Sequence, residues 1–259
     1  MGISLFVRKP HGLSLTNAGS TYLRDLTPLL DALDASTRRI SAKGPESALR
    51  VLSTPGFAAR WLVPRLHRYP ERENIVISVS PGAPSTDFAM NEADIVIHWG
   101  SEPVATAIVE PMMRSGRYPV ASRGFIERES LREPADLLCT TLLHDEVDDG
   151  WFAWFAEAGI EPTSLPRGPR LAHCELTLTA AEEQQGVALA YDAMARNTIA
   201  EGRLQRLFDV ESPSAAIYSF AYAKGRRRCP DIGRFRDWIF EEVRLEGLTD
   251  QQIVSSAAE

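Results

Sequence analysis

No run of 18 apolar residues occurs anywhere in the 259 residues, so no membrane-spanning helix and no membrane partner is expected. Cysteine is scarce. Cys139, Cys174 and Cys229 are odd in number, far apart and never in C-x-x-C spacing. Neither a disulfide framework nor a zinc site is expected, and the three thiols read as small core or surface residues. The catalytic signatures G-x-S-x-G, H-E-x-x-H, the P-loop and G-x-G-x-x-G are all missing. The chain is therefore expected not to be an enzyme and to carry no metal or cofactor. His144-Asp145-Glu146, followed by Asp148-Asp149, is the one run with the residue types of a metal or acid–base cluster. A solvated acidic loop is the reading preferred here, since no second histidine cluster supports the other. The first residues lack the pattern of a secretory signal, so a cytoplasmic location is expected. Acids are also missing from Met1 through Arg24.

What is present is an ordinary globular composition: 44% hydrophobic and 24% charged residues, enough for one large or two modest domains. The formal net charge of −7 argues against the body being a nucleic-acid surface, but leaves room for a small basic head.

That head lies in the acid-free stretch. LFVR and LSLT are short strand-like runs joined by the turn residues KPHG, with Arg8, Lys9 and His11 at the tip. Thr16 is placed to cap a long helix, its hydroxyl accepting from free backbone N–H groups of the first turn. Tyr22, Leu26, Leu29 and Leu33 follow at alternating spacings of four and three, an apolar seam with a 3.5-residue repeat. Pro28 predicts a bend. Arg38, Arg39 and Lys43 load the last turn, and Gly44-Pro45 stop the helix after roughly 40 Å. The seam reads as a dimerisation face, or as a helix folded back on the domain behind it. The basic tip reads as a wing that sets its cations on phosphates, or as a solvated turn.

The run LFVRKPHGLSLTNAG resembles the wing and linker-helix start of LysR-type transcriptional regulators. Leu5, Phe6, Arg8, Gly12, Leu13, Leu15, Thr16, Ala18 and Gly19 carry the likeness. It looks closest to the subgroup of glycine-cleavage and β-lactamase gene regulators. In that family the wing is preceded by helices, one of which reads the major groove, amounting to roughly 40 residues. The sequence opens at the wing. The expectations are a longer protein with Met1 as an internal methionine, or a truncated regulator.

Beyond a hinge at 44–47, strand and helix patterns alternate: strands at ALRVLS, NIVISVS and ADIVIHW, a helix from Phe57 to Tyr69, and a short helix near Ser85 to Met90. STPGFAARWLVPRL and ADIVIHWG are similar to the start of the LysR effector domain; LLHDE, WFAWFAEAG, VALAY and GRL follow in the family's order. Arg123 and Ala190 depart from its usual residues, so no relative's effector is inherited. The expected fold is α/β: a two-lobed, type 2 periplasmic-binding-protein-like effector domain behind a wing remnant and a long dimerisation helix. The expected segments are a wing (1–15), a linker helix (16–43), an effector domain (48–247) and a polar, frayed tail (248–259). Within the effector domain, lobe I takes 48–118 and 210–247, and lobe II takes 119–209. A strand at Arg170 to Cys174 and a returning strand at Ala216 to Ala223 are further expectations. Lys224 to Arg228 reads as a solvated loop or a contact for DNA or an acidic partner.

Ligands of open parallel sheets sit beyond the carboxyl ends of the strands. That rule points to Thr54, His98 and Trp99 in lobe I and to Ser122 and His144 in lobe II, with the helix beginning near Phe57 offering N–H groups to an anion. Each has a plainer role as a sheet cap or hinge turn. The expected function is a DNA-binding transcriptional regulator acting as a homodimer or homotetramer, with a small, possibly anionic effector between its lobes. The alternative is a small-molecule-binding or dimerisation module without specific DNA binding.

Overall fold

The computed structural model describes residues 3–9, 12–23, 26, 48–82, 88, 93–145, 149–212 and 217–248. Strands β1 (Phe6–Lys9) and β2 (Gly12–Leu15) form an antiparallel hairpin, Phe6 opposite Leu15. Residues 17–23 begin helix α1. Thr16 caps it: the Gly19 N–H donates to Thr16 Oγ1 at 3.0 Å, while the Thr16 hydroxyl donates to the Ser4 carbonyl at 2.8 Å. A Cβ on Gly19 would lie 2.0 Å from the Leu5 carbonyl oxygen, so only glycine lets the hairpin close onto the helix. His11, Leu29, Leu33, the hinge 44–47 and residues 249–259 lie outside the described residues, as does most of the helix expected near Ser85 to Met90.

The described residues from Ala48 onward form two lobes, each built on its own sheet. Lobe I holds β3 (Leu49–Ser53), β4 (Ile77–Pro81), β5 (Ile95–Trp99), β6 (Ala107–Arg114) and β11 (Ile217–Ala223), in the order β4-β3-β5-β11-β6. β3 runs parallel to both β4 and β5, whereas β11 is antiparallel to β5 and β6. Lobe II holds β7 (Arg117–Ala121), β8 (Leu142–Leu143), β9 (Val187–Tyr191) and β10 (Gln205–Arg206), in the order β10-β7-β9-β8. The chain passes into lobe II at Ser115-Gly116. Arg117 and Tyr118, expected with lobe I, pair with Tyr191 and Ala190 of lobe II. Beside this crossing, Arg117 and Ser212 exchange backbone hydrogen bonds of 3.0 and 2.9 Å, tying the outgoing strand to the returning one.

Lobe I packs α6 (Pro230–Leu245) against its sheet through Ile232, Phe235, Ile239 and Val243, all buried. The helix expected from Phe57 to Tyr69 is not uniform. Phe57–Leu62 is wound wide, with the Val63 N–H reaching back five residues to Ala58, and Val63–Arg68 is wound tight. Pro64 has no N–H and cannot extend a regular ladder, so the winding changes there. In lobe II, α2 (Arg123–Glu129), α3 (Asp149–Glu157), α4 (Cys174–Glu182) and α5 (Asp192–Ala200) surround the sheet. The strand expected at Arg170 to Cys174 reduces to one bridge between Arg170 and His144, because Cys174 already opens α4 with His173 as its cap. Leu248, expected in the frayed tail, is buried, and its N–H bonds the Val243 carbonyl at 3.2 Å.

Asp94 pins the start of β5 to lobe I. It accepts from the Arg50 N–H at 2.8 Å and pairs with the guanidinium groups of Arg50 and Arg226. The motif cation Arg226 is thus engaged within its own lobe. Asp94→Ala is expected to cost about 2 kcal/mol, the range of a charged hydrogen bond lost from a partly buried site. A urea denaturation midpoint would measure it.

Candidate functional site between the lobes

Three strand ends of lobe I converge. β3 leads through Thr54-Pro55-Gly56 into the wide helical turn, β5 ends at Trp99, and β11 begins beside it with Tyr218 opposite Trp99. The Tyr218 and Trp99 rings lie 3.6 Å apart at 30°. Phe57 closes the underside at 5.0 Å from Tyr218, and the Tyr218 and Thr54 hydroxyls are 3.4 Å apart. From lobe II, Tyr191 at the end of β9 meets the Trp99 ring at 5.0 Å. Arg117, across the sheet from Tyr191, sets its guanidinium carbon 5.4 Å from that ring. Trp99 therefore lies between a tyrosine from each lobe.

Two further contacts hold the lobes together here. A Cβ on Gly56 would fall 2.4 Å from Cys174 Sγ, so the bare backbone of lobe I admits the start of α4. Four residues on, Arg60 reaches across to Glu175 at 2.7 Å, Glu182 at 2.6 Å, Thr179 at 3.0 Å and Thr198 at 3.3 Å. On the lobe II side, Arg117, Leu143, Asp145, Gly150, Trp151, Thr177 and Leu189 line a shallow recess with room for about one water molecule.

Burial sets the protonation of the site. It raises the Tyr218 hydroxyl well above its ordinary pKa, and Cys174 and Tyr191 add to this. It raises Tyr191 too, with Arg117 opposing. Burial, then Asp145 and Glu175, push the Cys174 thiol up to about 12. All three groups are neutral near pH 7. The Cys174 thiol is accordingly a packed hydrophobe rather than a nucleophile.

Thr54, Phe57 and Trp99 are brought together, with Tyr218 at their centre. His98 is not with them. Successive strand residues face opposite sides of a sheet, so His98 points away from Trp99, opposite Ser219. Its Nδ1 donates to the Trp99 carbonyl at 2.7 Å. Ser122 was expected at the same edge as His144, but β7 is antiparallel to β9. Ser122 follows the far end of β7, about 15 Å along the strand from the edge that carries Arg117 and Tyr191. His144 does lie toward the carboxyl end of β8, but its Nε2 meets the Pro166 carbonyl at 3.0 Å inside lobe II. At the other end of the chain, Arg8 and Lys9 lie on β1, Tyr22 is exposed and Leu26 is half-buried.

Tyr218, Tyr191, Arg117 and Cys174 escaped the sequence reading. The strand-end rule considers carboxyl ends of parallel strands. In a mixed sheet an antiparallel strand presents its amino end at the same edge, which is where Tyr218 and Arg117 sit. The tyrosine of AIYSF and the arginine that opens RYPVA were the available signals.

A family model described as the LysR substrate binding domain matches residues 42–244. The glycine cleavage system transcriptional activator of Escherichia coli is 30% identical over 248 residues, covering 95% of this chain and 81% of that protein. The HTH-type transcriptional activator AmpR of Pseudomonas aeruginosa is 29% identical over 252 residues, covering 95% and 83%. Among solved structures, the effector domain of AmpR from Pseudomonas aeruginosa superimposes with a TM-score of 0.67 at 27% identity, covering 77% of this chain and 96% of that one. CrgA of Neisseria meningitidis, a LysR-type transcriptional regulator, superimposes with a TM-score of 0.64 at 20% identity, covering 93% and 84%.

Proposed function

This chain belongs to the LysR family of transcriptional regulators, and from that premise we propose that it senses a small molecule at the edge where Thr54, Trp99, Tyr191, Tyr218 and Arg117 meet. The family is one of regulators, not of enzymes. The observation that carries the reading is the composition of this edge. A ring from each lobe flanks Trp99, and an arginine stands beside a recess, all next to the two crossings that join the lobes. Aromatic walls with a few convergent polar groups are what small-molecule sites require.

A ligand that contacts both lobes favours one arrangement of them, and by linkage that arrangement alters how paired subunits present their DNA-binding parts. In this reading the regulator is cytoplasmic and binds promoter DNA. The β1–β2 hairpin, with Arg8, Lys9 and His11, is a wing on phosphates. Tyr22, Leu26, Leu29 and Leu33 pair two subunits. No helix among the described residues is long and apolar enough to cross a membrane.

A metabolite panel screened by thermal shift on the full chain tests this. A ligand at a hundredfold excess over its Kd adds about 2.7 kcal/mol, which raises Tm by about 5–10 °C in a domain of this size. Trp99→Ala is expected to abolish the shift and Tyr218→Phe to reduce it. A ligand whose shift survives both substitutions binds elsewhere and sinks the assignment.

A further inference from the structure

The basic run at residues 224–228 takes no part in the site between the lobes. It follows β11 as a tight turn: the Arg227 N–H donates to the Lys224 carbonyl at 3.3 Å, and the Cys229 N–H to the Arg226 carbonyl at 2.9 Å. Arg226 reaches Asp94, just before β5, which fastens the turn to the edge of the sheet. Arg50 on β3 shares the same carboxylate at 3.4 Å. β5 lies between β3 and β11, so Arg50, Asp94 and Ala223 stand nearly level on three neighbouring strands, within about 10 Å. β3 begins at this edge, so the chain arrives here from the hairpin and α1. Lys224, Arg227 and Arg228 are exposed. Among the described residues their side chains form no ion pair and no hydrogen bond. The acids beside them are already taken, Asp94 by Arg50 and Arg226, and Asp231 by Arg234 at 2.6 Å. No large hydrophobic residue is exposed from 218 to 232. The apolar anchors of a protein-docking patch are thus missing, while the unpaired cations that a polyanion needs are present.

We propose that this turn is a second DNA-contact surface, on which Lys224, Arg227 and Arg228 meet backbone phosphates of a duplex held by the wing. This rests on the reading of the chain as a DNA-binding regulator and adds a contact from the effector domain. The turn shares the edge that tethers the hairpin, so DNA on the hairpin is kept at a raised local concentration. The net charge of −7 does not oppose a contact at short range. In about 0.1 M salt, charges more than about 10 Å away are largely screened, and the cations of the turn decide the encounter. Phosphate contacts carry no base information, so the turn adds affinity and orientation without sequence preference.

The test is fluorescence anisotropy of the full chain with duplexes of about 30 base pairs and unrelated sequence, from about 50 to about 200 mM salt. Each phosphate contact contributes about 0.9 to the slope of log affinity against log salt, so the three cations together contribute about 2.7. Lys224→Gln, Arg227→Gln and Arg228→Gln combined are expected to flatten the slope by roughly that amount. At about 50 mM salt they are expected to weaken binding by about tenfold or more, equally on every duplex. Arg228→Gln alone is expected to flatten the slope by about 1. All three side chains are exposed, so Tm is expected to hold. An unchanged slope in the triple variant overturns the proposal, as does absence of binding by the full chain at about 50 mM salt. If Arg8→Gln with Lys9→Gln flattens the slope and the turn variant does not, the turn is refuted while the wing reading stands. If neither variant flattens it, both fall. If poly-glutamate binds with dependence on the turn and duplex DNA does not, the partner is an acidic protein and the DNA contact is refuted.

Discussion

Trp61→Ala is expected to lower the stability of this protein by about 4 kcal/mol, in the range for removing a buried aromatic and leaving its cavity. Trp61 is fully buried and stacks on Phe57 with ring centroids 4.9 Å apart. Its edge carries a second duty. The indole N–H donates to Glu246 at 3.1 Å, and the same carboxylate receives Arg65, whose guanidinium carbon sits 4.6 Å from the Trp61 ring. One side chain thus joins the wide helical turn after β3 to the residue that ends α6. Its loss opens a cavity and removes a neutral partner from a half-buried carboxylate. Domains are held by about 5–15 kcal/mol, so roughly a quarter or more of the total is at stake. Trp61→Phe restores most of the volume but not the N–H, and is expected to cost roughly half as much. Urea denaturation of both variants checks this; a loss below about 1 kcal/mol for alanine would show that the neighbours collapse into the space.

The second large effect concerns the joint between lobes. Arg60→Met is expected to cost about 2 kcal/mol, between the small value of exposed ion pairs and the 3–5 kcal/mol of fully buried ones. The Arg60 side chain is 13% exposed, and Glu182 is 14% exposed. Removing the cation leaves Glu175 without this partner, and among the described residues Glu182 keeps its bridge to Arg203. The contact crosses from lobe I to α4 and α5, so its loss loosens the arrangement of the lobes as well as the fold. A double-mutant cycle with Glu182→Gln is expected to return a coupling of about 1 kcal/mol or more. Strict additivity would mean that the pair is geometrically close but energetically idle. Among the described residues Arg60 is not in the lining of the recess, so in the proposed reading the same variant changes ligand affinity only through the arrangement of the lobes.

Arg60 also shows where reading a sequence runs out. Residues 57–69 announce a helix with Phe57, Trp61, Leu62 and Leu66 on its apolar side, but nothing local says that the arginine among them grips two carboxylates more than a hundred residues away. The π-like winding was equally hidden, although Pro64 in the middle of the run was the visible cause. His98 and Ser122 lie apart from the other expected residues for a simpler reason. Both stand at strand ends, as the rule required, but the pleat turns His98 to the other face and the direction of β7 carries Ser122 to the other edge. Tyr218 and Arg117 were passed over because an antiparallel strand delivers its first residue, not its last, to the edge where the parallel strands end.

By itself, the sequence determined the pieces: the β1–β2 hairpin with Thr16 and Gly19 behind it, the alternation of strand and helix, the two-lobed α/β class and the family. These follow from turn chemistry, capping and hydrophobic period, which act between residues a few positions apart. Tertiary structure alone decided which residues share the site. Thr54, Trp99, Tyr191, Tyr218 and Arg117 are spread over more than 160 positions, and they meet because strand order and direction bring five chain segments to one edge. Pairing between distant strands is chosen by burial over the whole sheet, so no local window of residues contains it.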